Sequence, residues 1–146
     1  MLYILDTHIC QLSMAKHPLI TERIARADAE ADTIATTIIS FDESVSGWLP
    51  ICHDGRRLAK RAWAYEQLLE TFIYYRGQLV LPFTPEAASL LATLKKSFQH
   101  IGLGDLSIAA VALSLNGIVV TQNFMDFQRV PGLQIEDWTR LNGESK

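Results

Sequence analysis

Apolar positions along this chain alternate between two patterns. Short runs at residues 2–5, 33–39, 79–83, 118–121 and 133–136 are rich in Ile, Val, Leu and Thr and read as buried strands. Between them, apolar residues recur every three or four positions, the spacing of helices. Thr7 is the expected N-cap of a first helix through Ile9, Leu12 and Met14. Pro18 interrupts it, and residues 19–29 form a second helix. Ser40 is expected to cap a third helix, to Trp48, and His53-Asp54-Gly55 marks a turn. Residues 56–75 predict a long amphipathic helix with Leu58, Ala62, Tyr65, Leu68, Leu69 and Phe72 on its buried side. Thr84 as N-cap and Pro85 at the first helical position open a helix to about residue 98. Another starts at Gly104 or Asp105 and ends at Asn116-Gly117.

Strands that alternate with helices imply right-handed crossovers and a mainly parallel sheet covered on both faces. The expected fold class is therefore α/β. In such sheets the functional crevice lies at the carboxyl ends of the strands. Asp6, Glu43 and Asp126 each follow a strand run, and Asp105 lies at a helix start that faces the same edge. The topology thus allows four acids from four distant segments to meet at one place. Each also has a local explanation. Glu43 completes a capping box with Ser40, Asp105 suits a helix dipole, and Asp126 suits its own turn. Asp6 has less excuse, because an acid directly after a buried strand must be paired, solvated or functional.

The 146 residues suit one domain, expected over 1–140 with a short polar tail at 141–146. Hydrophobic residues make up 49%, enough for a sizeable core and too many for disorder. The net charge of −3 means that any nucleic-acid contact depends on a local basic patch. Arg56, Arg57, Lys60 and Arg61 form one candidate patch, and Lys95 and Lys96 a second. A solvated helix face is the plainer explanation of either. The start of the chain runs straight into an apolar strand with no basic leader, and no run approaches the length of a membrane span. Cys10 and Cys52, which have no metal-binding spacing, are expected to be reduced thiols of a cytoplasmic protein.

Converging carboxylates repel one another, and a divalent cation relieves the repulsion. All-oxygen donors suit Mg²⁺ or Mn²⁺, which can activate water and stabilise the leaving oxygen of a phosphodiester. Glycine-rich phosphate loops, zinc-ligand sets and the GxSxG nucleophile elbow have no match in the chain.

The order and spacing of MLYILDTHIC, ISFDE, LPFTPEAA, IGLGDLSIAAVAL and VVTQNFMDFQRVPGL make the chain resemble the PIN-domain family over nearly its whole length. Within that family it is similar to VapC-type toxins of bacterial toxin–antitoxin pairs. The resemblance implies an α/β/α sandwich and a metal-dependent endoribonuclease. It assigns catalytic roles to Asp6, Glu43, Asp105 and Asp126, with metal on Asp6, Asp105 and Asp126. Thr7, His8, Ser40, Thr121 and Asn123 would line the same site. It further implies RNA, often tRNA, as substrate, a small antitoxin as partner, and a homodimer. A module that binds RNA or protein without cutting, or a nuclease outside any toxin pair, are the alternatives. Two positions depart from the family pattern: His8 stands where Asn is usual, and Gln99-His100 where a basic residue is common.

Overall fold

The computed structural model describes residues 1–141, so nearly all of the expected polar tail lies outside the described residues. Five strands form one sheet in the order β3-β2-β1-β4-β5, every neighbour parallel. They are β1 (Leu2–Leu5), β2 (Thr33–Thr37), β3 (Val80–Leu81), β4 (Ile118–Val120) and β5 (Gln134–Glu136). The helices are α1 (Thr7–Met14), α2 (Pro18–Ala29), α3 (Ile38–Cys52), α4 (Leu58–Arg76), α5 (Pro85–Ser97), α6 (Leu103–Leu115) and α7 (Phe124–Phe127). The chain winds outward from β1 to β2 and β3, then returns to place β4 on β1's other side. The direction of winding reverses between β1 and β4, which opens a crevice at their carboxyl ends.

Because side chains alternate across a strand, β1 and β4 feed two cores. Ile4 and Val119 face α5 and α6, joining Leu106, Ile108, Phe127 and Val130. Leu5 and Val120 face α1, α2 and the end of α4, joining Ile9, Ile20, Tyr75 and Trp138. The result is the expected three-layer sandwich. Cys10 and Cys52 are both buried and free. Among the described residues, no helix is long and apolar enough to cross a membrane.

Three local expectations are corrected. Asp6, not Thr7, caps α1: its Oδ1 accepts the Ile9 N–H at 2.8 Å. Thr37, not Ser40, caps α3, accepting the Ser40 N–H at 3.1 Å, so β2 ends there and Ile38 and Ile39 are helical. The Ser40–Glu43 capping box does not form, and Glu43 is released from that duty. On α4 the buried positions are Ala64, Thr71 and Tyr75. Leu58, Tyr65, Leu69 and Phe72, expected inside, are 67%, 45%, 58% and 50% exposed; Ala62 is exposed too, and only Leu68 is half-buried. The four-residue α7 was not anticipated, since one turn leaves no periodicity to detect.

Candidate active site

Asp6 sits where β1 gives way to α1 and is only 6% exposed. Burial raises its carboxyl above the ordinary range. Hydrogen bonds from Thr121 and the Ile9 N–H, and the charge of His8, offset part of that rise, while the Glu43 charge adds to it. Thr121, wholly buried just after β4, is fixed through its N–H, which donates to the Glu136 carbonyl at 2.9 Å. Neighbouring strand ends thus place Thr121 against Asp6.

Asp105 lies in the first turn of α6 and Asp126 in α7. One side chain joins them: the Asn123 Nδ2 donates to Asp105 Oδ2 and to Asp126 Oδ2, both at 3.1 Å. Asn123 is itself oriented by its N–H, which donates to Thr121 Oγ1 at 2.9 Å. The Asp105 carboxyl is pushed up, first by burial and then by the charges of Asp6, Glu43 and Asp126, against the Asn123 bond that lowers it. The charges of the other three acids therefore all reach Asp105.

Glu43 reaches the group from the second turn of α3. Thr7 Oγ1 donates to Glu43 Oε1 at 2.7 Å and lies 3.2 Å from the Oγ of buried Ser40. The other Glu43 oxygen lies against Gly104. A Cβ built on that glycine would stand 2.6 Å from Glu43 Oε2, closer than any real contact. Gly104 is therefore what lets the α3 carboxylate approach the α6 turn that carries Asp105. Its role was missed in the sequence, where Gly104 counted only as a helix opener; a glycine directly before the acid was the available signal.

Among the described residues, none of the four acids is in an ion pair, and no three acid, His or Cys side chains gather tightly enough to form a metal group as they stand. Asn123 stands between two of the acids, as mutual repulsion favours. The donor set is all oxygen and bears like charge without a cation, which fits a hard divalent ion better than a soft one. His8 is exposed on the first turn of α1, beside Asp6. Lys95 and Lys96 are exposed in the last turn of α5, which ends where α6 begins. The Arg56–Arg61 patch lies elsewhere, at the join of α3 and α4. About nine residues of helix separate Glu43 from Cys52, roughly 14 Å of rise. Two of its members already have partners. Arg56 Nε pairs with Asp54 at 3.1 Å, and Arg61 Nε donates to the Cys52 carbonyl at 2.6 Å.

A family model described as PIN domain matches residues 3–133. The chain belongs to the PIN-domain family. This PIN domain is 34% identical over 143 residues to Ribonuclease VapC1 of Haemophilus influenzae (strain R2866), covering 96% of this chain and all of the relative. It is 28% identical to the tRNA(fMet)-specific endonuclease VapC of Salmonella typhimurium, covering 93% of this chain and 97% of the relative. Among solved structures, it matches a chain in VapBC-1 from nontypeable Haemophilus influenzae with a TM-score of 0.76 and 26% identity, covering 96% of this chain and all of that one. A chain in VapBC2 from Rickettsia felis, bound to a DNA fragment from their promoter, matches with a TM-score of 0.74 at 26% identity, covering 94% and 99%.

Proposed function

We propose that this PIN domain is a divalent-metal-dependent endoribonuclease and the toxin half of a toxin–antitoxin pair acting in the cytoplasm. The observation that carries the reading is the coupled acid group at the β1–β4 crevice, in a chain similar throughout its length to VapC ribonucleases. Asp6, Asp105 and Asp126 would hold Mg²⁺ or Mn²⁺. When bound, the ion supplies an activated water and charge neutralisation at the phosphate. The protein supplies position. Thr121 and the α1 N-terminus hold Asp6, Asn123 holds Asp105 and Asp126, and Thr7 holds Glu43. Glu43, exposed and restrained at one oxygen, would take the proton of the attacking water. The substrate class is structured RNA, with tRNA the first candidate because a relative is a tRNA endonuclease.

Purified protein should cleave bulk tRNA with Mg²⁺ or Mn²⁺ and stop when chelator is added. Asp6→Asn, which preserves an N-cap acceptor, should lose cutting yet stay folded by circular dichroism. RNA binding without cleavage at either metal would instead indicate a module that has lost its catalysis, with His8 the first residue to revert to Asn.

Two surfaces support the partners. A groove of about 1080 Å³ between α1, α3 and α4, lined by Met14, Trp48, Ile73 and Tyr74, reaches Glu43 and suits an antitoxin segment that blocks the site. The exposed α4 positions Leu58, Ala62, Tyr65, Leu69 and Phe72 are spaced alternately by four and three, the seam of a helix that packs against another. We assign it to the homodimer. Light scattering should report a dimer for the parent and a monomer for Leu69→Glu; a monomeric parent would remove the assignment.

A further inference from the structure

Two loops meet beside Asp105 and Asp126. The first, residues 98–102, joins α5 to α6 and ends three residues before Asp105. The second follows α7 and carries Arg129, whose N–H donates to the Asp126 carbonyl at 3.2 Å. Both loops are anchored in one core, by Ile101 from the first and by Phe127 and Val130 from the second, all at least 96% buried. Their exposed side chains touch: Arg129 Nη1 lies 3.0 Å from His100 Nε2. A guanidinium only donates, so Nε2 accepts and the imidazole proton lies on Nδ1. The His100 ring also stands against Phe98, centroids 6.5 Å apart at 62°. Lys95 and Lys96 stand in the last turn of α5, just before the first of these loops.

This combination answers a difficulty of the acid group. Four carboxylates repel a polyanion, and the chain as a whole has a net charge of −3. Something on the rim must hold the flanking phosphates. The α5–α6 loop carries only Gln99 and His100 at this point, and the fold brings the guanidinium of Arg129 to it from another segment. A guanidinium held by an exposed imidazole suits an unpaired nucleotide: the cation takes the phosphate and the His100 ring takes the base.

We propose that Arg129 and His100, the imidazole backed by half-buried Phe98, form a ledge that binds a nucleotide flanking the cut. The ledge rests on the ribonuclease reading above. It is a substrate-positioning device with no part in the chemical step, so its removal acts on binding.

The test uses the whole chain and a fluorescein-labelled single-stranded oligoribonucleotide of mixed sequence, followed by anisotropy in chelator over a series of salt concentrations. Arg129→Ala should weaken binding about fivefold or more and lower the salt slope by about 0.7, the share of one phosphate contact on a single strand. Arg129→Lys should keep the slope. His100→Ala should weaken binding at every salt concentration without changing the slope, because the ring contributes stacking and no phosphate contact. With Mn²⁺ and tRNA, both alanine variants should raise KM and leave kcat. Thermal melts identify a folding defect, and His100→Ala, at an exposed position, retains the test should Arg129→Ala not fold. Equal affinity and slope in parent and both variants would overturn the ledge and leave the ribonuclease reading intact. A parent that neither binds nor cuts RNA overturns both.

Discussion

Two charged regions of this protein lie one strand apart and are built on opposite terms. At the end of β5, Glu136 pairs with Arg23 at 3.2 Å and accepts the Nε1–H of buried Trp138 at 2.7 Å. Arg23 lies over the Trp138 ring at 5.4 Å, and the Tyr3 ring packs against it tilted by 59°, centroids 5.0 Å apart. The other acids lining this 370 Å³ pocket are also matched, Glu30 with Arg26 and Asp32 with the N-terminal amine. In the crevice between β1 and β4 the acids are held by hydroxyl, amide and backbone N–H groups, and no ion pair matches them among the described residues. The first region spends its polar groups on the fold. The second keeps its charge unbalanced, which costs stability and leaves affinity for a cation.

Asparagine and alanine replacements separate the two sharply. Asp105→Asn should cut cleavage of tRNA at least about a hundredfold, since a lost metal ligand removes several kcal/mol of transition-state stabilisation. In metal-free buffer the same change should raise the melting temperature, because it removes one of four repelling charges and preserves an acceptor for Asn123. Glu136→Ala should do the reverse: cleavage unchanged, and about 1–3 kcal/mol of stability lost as the buried Trp138 N–H loses its acceptor. Paired tRNA cleavage assays and thermal melts check both. A stabilising Glu136→Ala, or a destabilising Asp105→Asn, would erase the contrast.

How much of this was legible in the sequence follows from range. Strand runs and helix spacing are local, so the sandwich and the parallel sheet could be read directly. Asp6 stood out because an acid after a buried strand lacks a cheap explanation. Glu43 was harder. Residues 33–39 look like one β-branched strand, and nothing local shows that Thr37 stops it and turns Ile38 and Ile39 into helix. On α4 the regular apolar seam reads as core, while the side that truly packs inward shows Ala64, Thr71 and Tyr75. Periodicity finds an apolar face without saying whether this chain or another covers it. The Gly104–Glu43 approach and the Arg129–His100 contact join residues 61 and 29 positions apart, and no local pattern encodes either.

The smallest effect sharpens the comparison furthest, because it reads the unbalanced charge itself. Asp6 and Asp105 hold their protons more tightly in the folded chain than at the usual 3.8. Between that value and their raised folded values, the folded state carries more protons than the unfolded one, so stability falls as pH rises through the window. Below the window the penalty is absent, and above it the penalty is fully present. Other acids oppose this trend. Asp54, held down by Arg56, is stabilising above its window, but it contributes equally to parent and variant. The informative quantity is therefore the difference between Asp105→Asn and the metal-free parent in urea unfolding. It should be close to zero or negative near pH 4 and grow in favour of the variant towards neutrality. Glu136→Ala should show no such growth, because its cost is a lost acceptor and one ion pair. Saturating Mn²⁺ should reverse the Asp105→Asn difference, since only the parent holds the full ligand set. Parallel curves for parent and Asp105→Asn, with and without Mn²⁺, would mean that the four acids do not act as one group in solution.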